Sequence, residues 1–192
     1  MTEADGQGPA DAPGRKVEIV PYDPLWPVQF AALGTLLRAA LTDVARIDHV
    51  GSTSVPGLSA KPIIDVQISV TALTPDDPFR RPLEELGFRY RRDNPDLSKR
   101  YFREAPGSRR THIHVRRAGS LDEQLNLVFR DYLRSHPESS RRYARTKQEL
   151  AARYRYDAQA YTESKSPFIW ETLREAASWS QETGWQPGPS DA

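Results

Sequence analysis

The stretch HVGSTSVPGLSAKPIIDVQISV, residues 49–70, couples a loop of small polar residues to a strand with an acid inside it. Gly51 and Gly57 permit sharp backbone bends, and Ser52, Thr53 and Ser54 supply three hydroxyls beside free N–H groups, which suits an anion such as phosphate. The same residue types also build ordinary turns. Lys61 follows the loop and is expected either to lean on a phosphate or to brace the turn before Pro62. In KPIIDVQISV, Ile64, Val66, Ile68 and Val70 alternate with Asp65, Gln67 and Ser69, so the polar set shares one strand face. That face meets either solvent or a cleft.

THIHV places His112 and His114 on one face of a second strand. Such a pair binds Zn²⁺ or Fe²⁺ when a third ligand converges, or offers an imidazole as general base. Flanked by Arg109, Arg110, Arg116 and Arg117, it also reads as two half-exposed histidines on a charged strand. Only five of the 27 basic residues are lysine, and two of them stand in matched settings, Tyr143/Lys147 in YARTKQEL and Tyr161/Lys165 in YTESKSPFIW. Four residues apart on a helix, each pair shares a face. The lysines then either serve as point charges for phosphate oxygens or snorkel over the tyrosine rings at the surface. Arg130 and Asp131 are expected to form a local ion pair, worth little if exposed.

These residues need a scaffold, and the patterning predicts one. VEIVPYD reads as a strand ending at Asp23, a cap for a helix over 24–41 whose Trp26, Phe30, Leu33, Leu36, Leu37 and Leu41 form an apolar stripe. Strands are predicted at ARIDHV, KPIIDVQISV, FRYRR, KRYFRE and RTHIHVRR, the last two joined by the turn APGS, with a helix from Pro75 to Leu86 closed by Gly87. From Ser120 the chain turns helical. Ser120 and Glu123 have capping-box spacing, Pro137 opens a second helix through Tyr154, and a third is predicted from Asp157 to Ser178. Strands first and helices last predict an α+β domain with a mixed sheet and a C-terminal helical layer. One domain over 16–178 is expected, between a disordered tail at 1–15 and a flexible tail at 179–192 onto which Trp179 and Trp185 could fold back.

Composition narrows the function classes. With 27 basic and 26 acidic residues the chain does not advertise nucleic acid, although FRYRRDNPDLSKRYFRE interleaves basic and aromatic residues. No cysteine means no disulfide framework and no thiolate chemistry. The first residues lack the apolar core of a signal peptide, and no apolar run approaches the roughly 20 residues of a membrane helix, so a cytoplasmic protein is expected.

Taken together, HVGSTSVPGLSAKPIIDV, THIHV, FRDYLRSHPE and the paired YARTKQEL and YTESKSPFI resemble the GrpB family, from about Val17 to Ala177. That resemblance implies a nucleotidyltransferase-type fold. Gly51 and Ser52, with Thr53 and Ser54, would hold the triphosphate of a nucleotide, Asp65 would anchor Mg²⁺, and Lys147 and Lys165 would offset phosphate charge. The nucleotidyl group would pass to a small acceptor, with His112 or His114 activating it. Two departures stand out: Gln67 occupies the alternate position where a second carboxylate belongs, and the His112/His114 strand would carry the third. Related domains are fused to dephospho-CoA kinase, so the resemblance equally implies a non-catalytic nucleotide- or CoA-binding domain, or an interaction partner of an enzyme.

Overall fold

A computed structural model describes residues 16–192. The tail expected at 1–15 lies outside the described residues. The sheet is built from β1 (Val44–Val50), β2 (Ile64–Val70), β3 (Arg89–Tyr90), β4 (Lys99–Arg103) and β5 (Thr111–Arg117), in the order β1-β2-β5-β4-β3. Only β2 and β5 run parallel, so the sheet is mixed. The crossover from β2 to β5 brings two strands far apart in sequence to its centre. The segment predicted as a strand at VEIVPYD makes a single bridge, Val20 to Ala60.

Alternation along β2 decides the two layers. Ile64, Val66, Ile68 and Val70 point into a core shared with Trp26, Phe30 and Leu37 of helix α1 (Leu25–Ala40) and Phe79 and Leu83 of α2 (Asp77–Glu85). Asp23 caps α1 through its carboxylate, which accepts from Leu25 N at 2.9 Å. Leu36, predicted in the buried stripe, is exposed, because the stripe that meets the sheet follows Trp26, Phe30, Gly34 and Leu37. Asp65, Gln67 and Ser69 face the other way, under the C-terminal helices α3 (Leu121–Ser135), α4 (Pro137–Arg153), α5 (Ala158–Glu163) and α6 (Ser166–Thr183). This is the α+β architecture with a helical C-terminal layer that the patterning predicts.

Three local expectations change. The helix predicted over 157–178 breaks at Ser164–Lys165, where Pro167 in the first turn of α6 forces a new start, and α6 continues to Thr183 before Gly184 ends it in the left-handed region at φ +65°. The capping box does not close. Ser120 Oγ has no hydrogen-bond partner, and the buried Glu123 carboxylate accepts instead from Gly119 N at 2.7 Å. Arg130 is not exposed: its side chain is 3 % accessible, pairing with Asp131 and Asp191 and donating to the His49 carbonyl.

The segment after 179, expected to be a flexible tail, belongs to the fold. β1 is an edge strand, with backbone groups that need partners. Ile47 N donates to Ser190 Oγ at 2.8 Å, His49 N to the Asp191 carboxylate at 2.9 Å, and Ala192 N to the Ile47 carbonyl at 3.1 Å. Asp191 therefore serves both the sheet edge and Arg130. Asp191→Ala is expected to lower stability by about 1.5–3 kcal/mol, the scale of hydrogen bonds to a charged group. Chemical denaturation checks this, and an unchanged midpoint would mean that the tail contributes nothing. Among the described residues no helix is long and apolar enough to cross a membrane.

Candidate functional site

The loop after β1 makes one 3-10 turn, Ser52–Ser54, and its hydroxyls divide between structure and surface. Thr53 Oγ1 donates to the Ile63 carbonyl at 3.0 Å and meets His49 Nε2 at 3.0 Å. Burial pushes His49 down to about 4, so it is a neutral ring, stacked on Phe30. Ser54 Oγ closes the turn by donating to the Gly51 carbonyl at 2.6 Å. Thr53 and Ser54 are thus braces with committed hydroxyls. Ser52 and Gly51 remain at the wall of a cavity of about 740 Å³.

Asp65 forms the floor. Parallel pairing of β2 with β5 sets Asp65 opposite His112 and Gln67 opposite His114. The Asp65 Oδ1 atom lies 3.3 Å from His112 Nδ1 and 3.4 Å from His114 Nε2. Burial works to raise the Asp65 carboxyl, but the two imidazoles outweigh it and hold the group well below the usual carboxylate range. Burial likewise pushes His114 down, with Asp65 opposing. Tyr101 on β4 stacks on His114 at 5.2 Å between centroids and meets His112 edge-on at 5.6 Å. Its phenol is raised, first by burial and then by the Asp65 charge.

Gln67 does not join this group. It is fully buried under α3, where its amide donates to the Glu123 carbonyl at 3.2 Å and accepts from Asn126 at 2.8 Å. With both ends satisfied there, it is a packing residue and not the ligand or cofactor contact expected of it.

The matched Tyr-x-x-x-Lys pairs converge on the opposite wall. Lys147 is 2 % exposed, so it is no snorkelling surface residue. Its ammonium sits 4.5 Å above the Tyr143 ring and donates to the Ser59 carbonyl. Burial, then the charge of Lys165, pushes Lys147 down to about 7. Lys61 and Lys165 both lie against Tyr161, at 5.1 and 4.9 Å from its centroid. Burial and then Lys61 push Lys165 down to about 8, against the pull of Asp65. Burial raises the Tyr143 phenol to about 12. The α5–α6 break is what places Lys165 here.

Sequence reasoning missed Tyr101 and Lys99, which sit in the cavity wall with Arg103 on alternate positions of β4. Their period-2 spacing in KRYFRE, beside the strand carrying THIHV, was the available signal. The cavity is lined by seven Lys or Arg side chains against three Asp or Glu, so a nearly neutral chain concentrates its cations in one place.

The donors on the floor, one carboxylate and two imidazoles, form a group that could hold a metal ion. They fit Mg²⁺ poorly. That hard ion takes oxygen ligands, and Asp65 is the one carboxylate on the β2–β5 floor.

A family model described as GrpB protein matches residues 16–175. The chain belongs to the GrpB family. It is 42 % identical over 181 residues to the UPF0157 protein PA4798 of Pseudomonas aeruginosa, covering 90 % of this chain and 72 % of that one. It is 32 % identical over 197 residues to a dephospho-CoA kinase of Mycolicibacterium paratuberculosis, covering 89 % of this chain but only 48 % of the kinase, so the GrpB region matches about half of that protein. Among solved structures, GrpB from Enterococcus faecalis superposes with a TM-score of 0.76 at 32 % identity, covering 83 % of this chain and 96 % of that one. The Cid1 poly(U) polymerase bound to MgATP superposes with a TM-score of 0.50 at 17 % identity, covering 70 % of this chain and 45 % of that one. The last likeness concerns the fold alone, which is nucleotidyltransferase-like.

Proposed function

We propose that this GrpB protein binds a nucleoside 5′-polyphosphate, of the ATP or CoA type, with its phosphates between the Gly51–Ser52 loop and Lys61, Lys147 and Lys165. The observation that carries this reading is the convergence of those lysines from three separate segments onto one cavity, facing a loop with backbone N–H groups. Ammonium groups on aromatic rings in a partly desolvated wall gain more from an arriving phosphate than surface lysines do. The Cid1 polymerase that shares the fold holds MgATP, and the relatives named dephospho-CoA kinase include a GrpB region, so both ligand types agree with the comparisons. ATP and CoA share a 5′-diphosphate, and that is the part the three lysines and the Gly51–Ser52 loop would address.

Nucleotidyl transfer to a small acceptor, in the two-ion Mg²⁺ manner, is not part of this reading. That mechanism clamps attacking and leaving oxygens between two cations held by carboxylates, and the floor supplies one carboxylate beside two imidazoles.

Calorimetric titration of ATP, GTP, CoA and pyrophosphate into metal-free protein at pH 7 tests the proposal. ATP and CoA are expected to bind one per chain, and Lys165→Gln to weaken both about tenfold or more, the scale of a charge-assisted hydrogen bond. Failure of all four to bind, or unchanged affinity in Lys165→Gln, contradicts it.

A further inference from the structure

We propose that Asp65, His112 and His114 hold one divalent first-row transition ion, of the Zn²⁺, Fe²⁺ or Co²⁺ kind, with its remaining coordination positions open to the cavity. The proposal concerns the same cavity as the nucleotide reading but stands on the three ligand atoms alone, so either can fail without the other.

Distance is the first argument. Asp65 Oδ1 lies 3.3 and 3.4 Å from one nitrogen of each imidazole. A charge-assisted N–H···O⁻ bond is shorter, about 2.7–2.9 Å. Two ligand atoms each about 2.1 Å from one ion, at a tetrahedral angle, are separated by about 3.4 Å. The two Asp65–imidazole spacings are therefore those of ligands sharing an ion. All three donor atoms lie within 4.8 Å of one another, close enough for small side-chain adjustments to bring the third onto it.

Chemistry is the second. Two histidines and one carboxylate leaving open positions is a set that first-row transition ions favour, whereas imidazole nitrogen adds little for Mg²⁺. Position is the third. The ligands come from neighbouring central strands whose pairing fixes Asp65 opposite His112, so the site is organised by the sheet before any ion arrives. Tyr101 packs on both rings and restricts their rotation. The three side chains are 17–27 % exposed, so water or a ligand atom can reach an ion held there. The other two histidines are engaged elsewhere, His49 with Thr53 and His136 with the Tyr132 carbonyl.

The test uses the metal alone. Full-length protein made without an oligohistidine tag is stripped with chelator and titrated with Co²⁺, followed by visible d–d absorption and calorimetry. One Co²⁺ per chain is expected, with binding retained in a large excess of Mg²⁺. Affinity should fall on the order of 100-fold or more in His114→Ala and in His112→Ala, since loss of a direct ligand exceeds the effect of losing an outer partner. Circular dichroism confirms that each variant is folded, and the wild-type Co²⁺ spectrum with Mg²⁺ competition stands independently of the variants. No Co²⁺ band in the wild type, equally tight binding in both folded variants, or displacement by equimolar Mg²⁺ would overturn the assignment.

Discussion

Gly51→Ala is expected to destabilise the protein by about 2–5 kcal/mol and to abolish ligand binding in the cavity. Two independent penalties meet at this residue. Its backbone sits at φ +70° and ψ −173°, a region essentially reserved for glycine and costing about 1–3 kcal/mol for other residues. A Cβ there would also lie 2.6 Å from Asp65 Oδ2 and 3.0 Å from Asp65 Cβ and Cγ. Asp65 belongs to a central strand and cannot retreat, so the loop must move, carrying Ser52 away from the cavity. For a chain of this length the cost corresponds to a fall in Tm of roughly 4–20 °C. Gly57→Ala is the control, because Gly57 also has positive φ, +77°, but nothing stands within 4 Å of its added Cβ. Strain alone should then lower Tm while leaving ATP and CoA binding intact. Equal binding by wild type and Gly51→Ala would show that the loop does not touch the ligand.

Polyphosphate affinity is expected to fall on the order of tenfold to a hundredfold between pH 6.5 and 8.5. Burial holds Lys147 at about 7 and Lys165 at about 8, and Lys61 is lowered as well. Over this range the free protein loses the protons of Lys147 and Lys165. A bound polyphosphate stabilises the ammonium forms, so the complex holds more protons than the free protein and binding weakens as pH rises. The ligand-free stability should move the other way. In the unfolded chain these lysines keep their protons to about 10.4, so above pH 7 the unfolded state binds more protons than the folded one, and stability rises with pH. Calorimetry and thermal unfolding on one buffer series measure both slopes. A flat affinity profile would remove these lysines from the phosphate site.

Much of this arrangement was legible from the residues. Alternation in KPIIDVQISV and THIHV correctly put Asp65 and the two histidines on polar strand faces, and the rarity of lysine singled out Lys61, Lys147 and Lys165. What alternation could not supply is the cover above a face. Asp65 and Gln67 look equivalent along the strand, yet α3 closes over Gln67 and leaves Asp65 open, a difference set by where a helix more than 50 residues later crosses the sheet. The hydroxyls of Thr53 and Ser54 read as phosphate donors because sequence shows the group but not its partner. The last residues read as flexible because Gly, Pro and Ser carry no periodic apolar signal; their partners are the unpaired groups of an edge strand. Tyr101 escaped notice because a lone tyrosine in a short strand acquires meaning only through its register with His114.

The most direct test of the central claim is a crystal structure of the metal-free protein with ATP or CoA bound. The phosphates are expected within hydrogen-bond distance of the Ser52 backbone and of Lys61, Lys147 or Lys165, above the Asp65–His112–His114 floor. Phosphates bound elsewhere, or a cavity occupied without any lysine contact, would contradict the account.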